Sequence, residues 1–573
     1  MKRNLLHILL PVSVLALSAC GTTATSPVAR HSFEYPQSES FAGNFLAGKV
    51  AQSDYSMSEA ARYLIRAQEL DPDNPDLRQR TFLALIADGR VSDTETIARQ
   101  LVAEQPADLF AALAVVDADI RGGDYEQALS IVMALPDRGI NTLIRPLAAA
   151  WLYTAMDRKQ DALDALDGLQ RNASLSPLSE YHRGLVLDYF GDLAAAEMAF
   201  SRAYGDPADA PLRAAEALGA VYERRGQPQK AALLYQSYMD RHPQSLAMPF
   251  HLKRLEEGGA PVRAAVTPAS GLAEAYLDIA TLLSQENAVD PALLMARYSL
   301  SLRPDDDITR LLVGEVMEIQ KRYPAAIAIY DTIPVTSPHS WNARLRAAAS
   351  LEATGQSEAA IALLQPMVNE RRDRSDALIQ LGDTLRLTQD FGASATAYDQ
   401  AIERLGGPDQ VSWMLLYRRG IAHERSGQWD KAEADFLKAL EMEPEQPYVM
   451  NYLGYSWVEQ GKNFDQAEDM LKRAVALQPE DGYIVDSLGW VYYKLGRFDD
   501  AVRELERAVE LKPDDPTIND HLGDAFWQTG RFHEARFQWH RALSFSPDDE
   551  LRATVLAKLE GATPEPASVA ANN

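Results

Sequence analysis

Large and small apolar residues recur along the chain in a fixed order, clearest between Val449 and Pro547. Leu453-Gly454, Leu488-Gly489 and Leu522-Gly523 stand 35 and 34 residues apart. Alanines follow each glycine in the same order, Ala467, Ala501 and Ala535, then Ala474, Ala508 and Ala542, and the copies close on Pro479, Pro513 and Pro547. This order predicts two antiparallel helices per copy, with the small residues where the helix axes come closest. A side chain at Gly454, Gly489 or Gly523 would force the pair apart, which justifies the helix penalty of glycine, about 1 kcal/mol. Tyr492, Phe526, Leu505 and Trp539 are expected to fill the space between helices and between copies. Pro513 ends its helix, because proline cannot continue one and pushes the residue before it out of the helical region. One helix pair cannot bury its apolar face alone, so stability must come from stacked neighbours.

The same order extends back through the chain. Gly48, Ala60, Leu64, Ala67 and Pro72 fit it, and Pro106 lies 34 residues after Pro72. Ala128 and Ala162 keep the second-helix alanine without the glycine, and the full signal returns at Gly184 and Gly219, giving six units over 41–243. Residues 244–270 carry Gly258-Gly259, three prolines and no repeat alanine, which reads as a connector holding one odd helix at most and as a candidate hinge. Units resume over 271–560, marked by Ala292, Gly314, Ala359, Gly382 and Gly420, for a total of about fourteen. Residues 561–573 read as a disordered tail.

A period of about 34 with Leu-Gly, two alanines and a closing proline resembles the tetratricopeptide repeat. That resemblance implies an all-α solenoid of helix-turn-helix units wound as a right-handed superhelix. The run from Leu453 to Arg531, including LGYSWVEQ, LGWVYYKLGRFDDAVRELERA and HLGDAFWQTGR, is further similar to bacterial tetratricopeptide lipoproteins. Some of these act as adaptors that bind and activate carboxy-terminal processing proteases in the periplasm. The first half of the chain carries no comparable signature.

The first residues point to the same compartment. Met1-Lys2-Arg3 precedes a short apolar run from Leu5 to Ala19, broken by Pro11, as in a secretory signal spanning 1–19. The run is too short to cross a bilayer as a helix. Leu17-Ser18-Ala19-Cys20 resembles the lipobox, which implies lipidation at Cys20, and Gly21 in place of an acid implies the outer membrane. Cys20 is the only cysteine, so an internal disulfide is excluded. Residues 20–40 read as a flexible tether.

The 573 residues are 46% hydrophobic and 24% charged, within the range of folded proteins. Net charge is −26, and removal of Lys2 and Arg3 with the signal leaves about −28. An acidic balance of this size argues against nucleic acid or anionic lipid as the main partner. It is compatible with a basic protein partner and equally with a solubilising surface.

Enzymatic motifs are missing: there is no HExxH, GxSxG, GxxxxGK[ST] or CxxC, so no catalytic residue, cofactor or metal is expected. His521, His533 and His540 are the best metal candidates, but tetrahedral sites need closer ligands, and packing or surface positions suit them better. Asp499-Asp500, Asp514-Asp515 and Asp548-Asp549 sit where they can cap or charge-stabilise helix starts.

Six of the eight tryptophans follow residue 412. The tetratricopeptide resemblance implies that positions 2, 5, 9 and 12 of each first helix line a concave groove. With the glycine as position 8, these are Tyr448, Asn451, Tyr455, Tyr483, Asp486, Trp490, Tyr493, Asp520, Asp524 and Trp527. Two readings stand for the aromatics: a protein-binding surface, because rigid aromatics dominate interface energetics, and packing within the solenoid. The absence of Lys or Arg at positions 5 and 9 departs from the subgroup that clamps a partner's terminal carboxylate. The expectation is a non-enzymatic periplasmic scaffold that recruits a protein to the membrane, with a processing protease as leading partner. The alternative is an assembly factor for pili, outer-membrane proteins or polysaccharide export.

Overall fold

A computed structural model of the chain describes residues 40–170 and 173–561. The expected signal 1–19, Cys20, the tether up to residue 39 and residues 562–573 lie outside them. Among the described residues there are thirty α-helices and no strands. Twenty-eight form fourteen consecutive helix-turn-helix pairs, from Phe41–Ser53 with Met57–Leu70 to Pro516–Gln528 with Phe532–Ser544. The other two, Ala247–Glu256 and Asp549–Leu559, stand singly.

Local chemistry fixes where these helices begin and end. Asp515 accepts a hydrogen bond from the Ile518 N–H at 3.0 Å and Pro516 opens the helix, while Asp548 caps the next helix through Leu551. Between the helices of a pair, Gly496 and Gly530 take positive φ (74° and 77°), where a Cβ would be strained. Within a pair, the first-helix glycine faces the residue 16 positions later. A Cβ built on Gly314 would meet the Tyr330 ring at 2.2 Å, on Gly219 the Tyr235 ring at 2.3 Å, and on Gly523 the Trp539 ring at 2.4 Å. Such separations leave no room for a methyl group, so glycine sets the axis distance as the sequence predicts. Gly454 is the exception: one extra residue, Asn463 at φ 50°, shifts its partner to Leu471, and the clearance grows to 3.2 Å.

The described residues divide into two units, 40–364 and 365–561. The division falls inside the Ser357–Glu370 helix, not at the 244–270 connector. That connector holds the Ala247–Glu256 helix and is fastened rather than loose: Ala265 is buried, and Arg263 Nε donates to Asp188 at 3.1 Å. It ends on Thr267 and Ser270, which cap the following helix reciprocally.

That next helix, Pro268–Gln285, does not simply continue a row. It packs against Asn141–Ala155, and its partner Val289–Leu302 packs against Pro75–Asp88 and Leu109–Gly122. The first helices of the early repeats are therefore covered by a later pair of the same unit. Gly271 lets the helix approach Trp151, whose ring lies 2.2 Å from where a Cβ would stand. The seat is polar as well as apolar. Trp151 Nε1 donates to His182 Nδ1 at 3.1 Å, and His182 Nε2 pairs with Asp278 at 3.0 Å. Tyr181 Oη and Arg213 both reach Glu274, and Tyr298 Oη donates to the Phe110 carbonyl at 2.6 Å.

In residues 365–561 the stacking stays local. Each helix pair packs on its sequence neighbours, and the first helices Pro447–Glu459, Gly482–Lys494 and Pro516–Gln528 also touch one another in order. They therefore share one face.

Candidate functional site

These three helices carry all ten residues expected to line a groove, and burial sorts them into two groups. Tyr448 is 43% exposed, and Asn451, Tyr455, Tyr483 and Trp527 are half-buried. Asp486, Trp490, Tyr493, Asp520 and Asp524 are buried. The second group belongs to the solenoid's own packing and offers no open surface.

The buried group is built around Trp490. Its ring stacks on Tyr493 at 4.7 Å and on His521 at 4.0 Å, and Lys494 Nζ lies 5.0 Å from its centroid. Its Nε1 donates to Glu459 of the preceding repeat at 2.6 Å, which satisfies the one polar atom of a buried indole. Asp486 accepts from His521 Nδ1 at 3.0 Å, so position 5 of one repeat is tied to the first helix of the next. Burial disfavours the His521 imidazolium, but the Asp486 carboxylate outweighs it and holds the pKa above the ordinary histidine value. This pairing accounts for His521; His533 and His540 are exposed on the last second helix.

The acids of the last repeat are closed by the terminal helix. Lys558 Nζ, on Asp549–Leu559, lies 2.8 Å from both oxygens of Asp520 and 2.8 Å from Asp524. Asp524 also accepts from Trp539 Nε1 at 3.0 Å. Burial and the neighbouring Asp520 push Asp524 up to about 6, against the pull of Lys558. Sequence reasoning missed Lys558 and Glu459. The signal for Lys558 was present: it stands 34 residues after Asp524, at position 9 of what would be the next unit.

The open group forms a row. Tyr448 stands at the start of Pro447–Glu459, Asn451 and Tyr455 follow on the same helix, Tyr483 starts the next first helix, and Trp527 ends the third. Asn451 Oδ1 has no hydrogen-bond partner among the described residues. An acceptor left unpaired out of water costs about 1–3 kcal/mol. Tyr483 is backed by Lys512, whose Nζ lies 5.5 Å from its ring centroid. Trp527 is held edge-on by Phe532 at 4.7 Å and lies against Trp539 at 5.4 Å. The row offers rigid, part-exposed aromatic surface, the means of binding a protein segment.

Among the described residues no His, Cys, Asp and Glu are grouped as a metal site, and no helix is long and apolar enough to cross a membrane. Tetratricopeptide-repeat family models match three segments: residues 216–245, 417–482 and 489–530. No curated protein sequence matches the chain. Similar solved structures include the APC/C hetero-tetramer Cut9–Hcn1, at 14% identity and TM-score 0.37 over 90% of this chain and 95% of that one. Yeast Tom70 is 13% identical with TM-score 0.32, over 91% of this chain and 95% of its own. MamA from Desulfovibrio magneticus RS-1 is 19% identical with TM-score 0.28, over 30% of this chain and 96% of its own. By the three matched segments and the paired helices that continue beyond them, this chain is an all-α tetratricopeptide-repeat solenoid.

Proposed function

We propose that the protein is a non-enzymatic adaptor of the bacterial cell envelope. It is anchored through lipidated Cys20 to the outer membrane, faces the periplasm, and recruits a protein partner to that surface. The observation that carries this reading is the row Tyr448, Asn451, Tyr455, Tyr483 and Trp527, part-exposed on one face of successive first helices. A partner laid along the row makes several modest contacts, and tethering at a membrane raises its effective concentration there. Similarity of the Leu453–Arg531 run to lipoprotein adaptors makes a carboxy-terminal processing protease the leading partner.

Two measurements test the reading. Cys20→Ser should move the protein from the membrane fraction to the soluble periplasmic fraction; unchanged fractionation contradicts the anchor. The full chain should capture a processing protease from envelope extract and speed its cleavage of a peptide substrate. Tyr448→Ala/Tyr455→Ala/Tyr483→Ala should lose both effects while its helical circular dichroism is retained. Equal capture by the two proteins contradicts the groove assignment, and capture of a different protein redirects the partner class.

A further inference from the structure

A second feature of the 365–561 unit lies away from the first-helix row. Helices Trp429–Met442 and Phe464–Leu477 are the second helices of adjacent repeats, and an open cleft of about 620 Å³ separates them. The turn that precedes Phe464–Leu477 is one residue longer than its counterparts. The turns Gly427-Gln428-Trp429, Gly496-Arg497-Phe498 and Gly530-Arg531-Phe532 run from glycine to the helix-opening aromatic with one residue between. Here Gly461 is followed by Lys462 and Asn463 before Phe464, and Asn463 takes φ 50°. The Phe464–Leu477 helix starts one residue late. Pro447–Glu459 also packs more sparsely on the repeat before it than Pro516–Gln528 does.

Each helix brings both acidic and apolar side chains to the cleft: Glu433 and Leu437 from the first, Asp465, Asp469 and Met470 from the second. Trp457 is buried and turns its Nε1–H to Glu433 at 2.5 Å, while Leu437 is 42% exposed and Met470 is half-buried beside it. Glu433, Asp465 and Asp469 line the cleft with one cation, Arg473, whose guanidinium is taken up by Glu445 at 2.5 Å and Asp469 at 3.5 Å. Asp465 is exposed and makes no ion pair among the described residues. The charge of the cleft is complementary to a cationic side chain and its Leu437–Met470 surface to an apolar one.

We propose that this cleft is a second docking site, for a partner segment that presents lysine or arginine next to a large aliphatic side chain. It stands apart from the first-helix row, so either site can fail without the other. Charge complementarity of this kind raises the rate of encounter and selects the partner, while the apolar side chains retain it.

The test uses the full chain and two fluorescein-labelled peptides of about twelve residues. One is an amphipathic leucine/lysine helix former; the other carries glutamate at every lysine position. The lysine peptide should bind, photo-cross-link within residues 433–473, and weaken about tenfold with Asp465→Lys/Asp469→Lys. Asp499→Lys/Glu510→Lys, which makes the same charge change at exposed positions of another second helix, should bind as the wild type does. Equal binding of both peptides, cross-links elsewhere, no binding, or equal weakening by the two double variants overturns the proposal. If Asp465→Lys/Asp469→Lys loses helical signal, Leu437→Ser at an exposed position decides: unchanged affinity overturns the proposal, and weaker binding supports it.

Discussion

Two sets of first helices meet different fates in this molecule. In residues 40–364 the early first helices are covered by a later pair, Pro268–Gln285 and Val289–Leu302, seated through Trp151, His182, Glu274 and Tyr298. In residues 365–561 the corresponding positions are filled by neighbours about one period away, such as His521 beside Asp486 and Lys558 beside Asp524. The first arrangement joins residues as far apart in sequence as Phe110 and Tyr298, so that unit closes on itself. The second is a chain of nearest-neighbour contacts, and such arrays gain stability repeat by repeat. Self-coverage removes the early first helices as a docking face. Local coverage removes only part of the later one, and leaves Tyr448, Tyr455, Tyr483 and Trp527 in partial contact with solvent.

The covered arrangement is most sensitive at Glu274. It is 1% exposed and receives Arg213 and the Tyr181 hydroxyl across the seat of the Pro268–Gln285 helix. Glu274→Ala leaves the Arg213 charge without this partner in a buried setting, at a cost of about 3–5 kcal/mol. Denaturant unfolding should show the loss in the 40–364 unit, while tryptophan signals from the last repeats are unchanged. A change below about 1 kcal/mol means that the seat is not held by this ion pair.

A smaller effect separates two glycines of the local array. Gly523→Ala drives a methyl into the Trp539 ring and should cost about 1–3 kcal/mol by overpacking. At Gly454 the clearance is 3.2 Å, and the roughly 1 kcal/mol helix preference of alanine offsets the smaller strain. Gly454→Ala should therefore melt close to the wild type. If both variants lose the same stability, the extra residue at Asn463 has not loosened that repeat.

The smallest effect is electrostatic. His521 should titrate above the ordinary histidine value by NMR, and Asp486→Asn should bring it below, because burial is then opposed less. A raised His521 pKa stabilises the fold below about 6.5, a gain lost as pH rises through the folded value. Asp524, at about 6, likewise favours the fold below its unfolded value, a gain lost as pH rises through about 6. The last repeats should therefore lose stability from mildly acidic to alkaline pH, and Asp524→Asn should flatten the lower part of that slope.

The repeat architecture was largely legible because a helix pair of fixed length forces one small residue and one bulky residue into register. Gly523 with Trp539 and Gly314 with Tyr330 obey that geometry, and the fourteen pairs follow from it. The coverage of the early first helices was not legible. The residues 268–302 carry the same helical pattern as any other unit, and pairings such as Tyr298 with Phe110 leave no local trace. The groove was half legible. Register assigns Trp490, Tyr493 and Asp486 to the inner face, but whether an inner side chain is open depends on what the next repeat brings. His521 and Lys558 decide that here.

We propose that the partner binds the open row of the last repeats and not the covered early first helices. Cross-linking mass spectrometry of a captured partner on the full chain distinguishes the two regions. Protein–protein cross-links should fall between residues 448 and 527, and none on the Pro75–Asp88, Leu109–Gly122 or Asn141–Ala155 helices. Cross-links concentrated on those three helices, with the 448–527 face left free, would contradict the proposal.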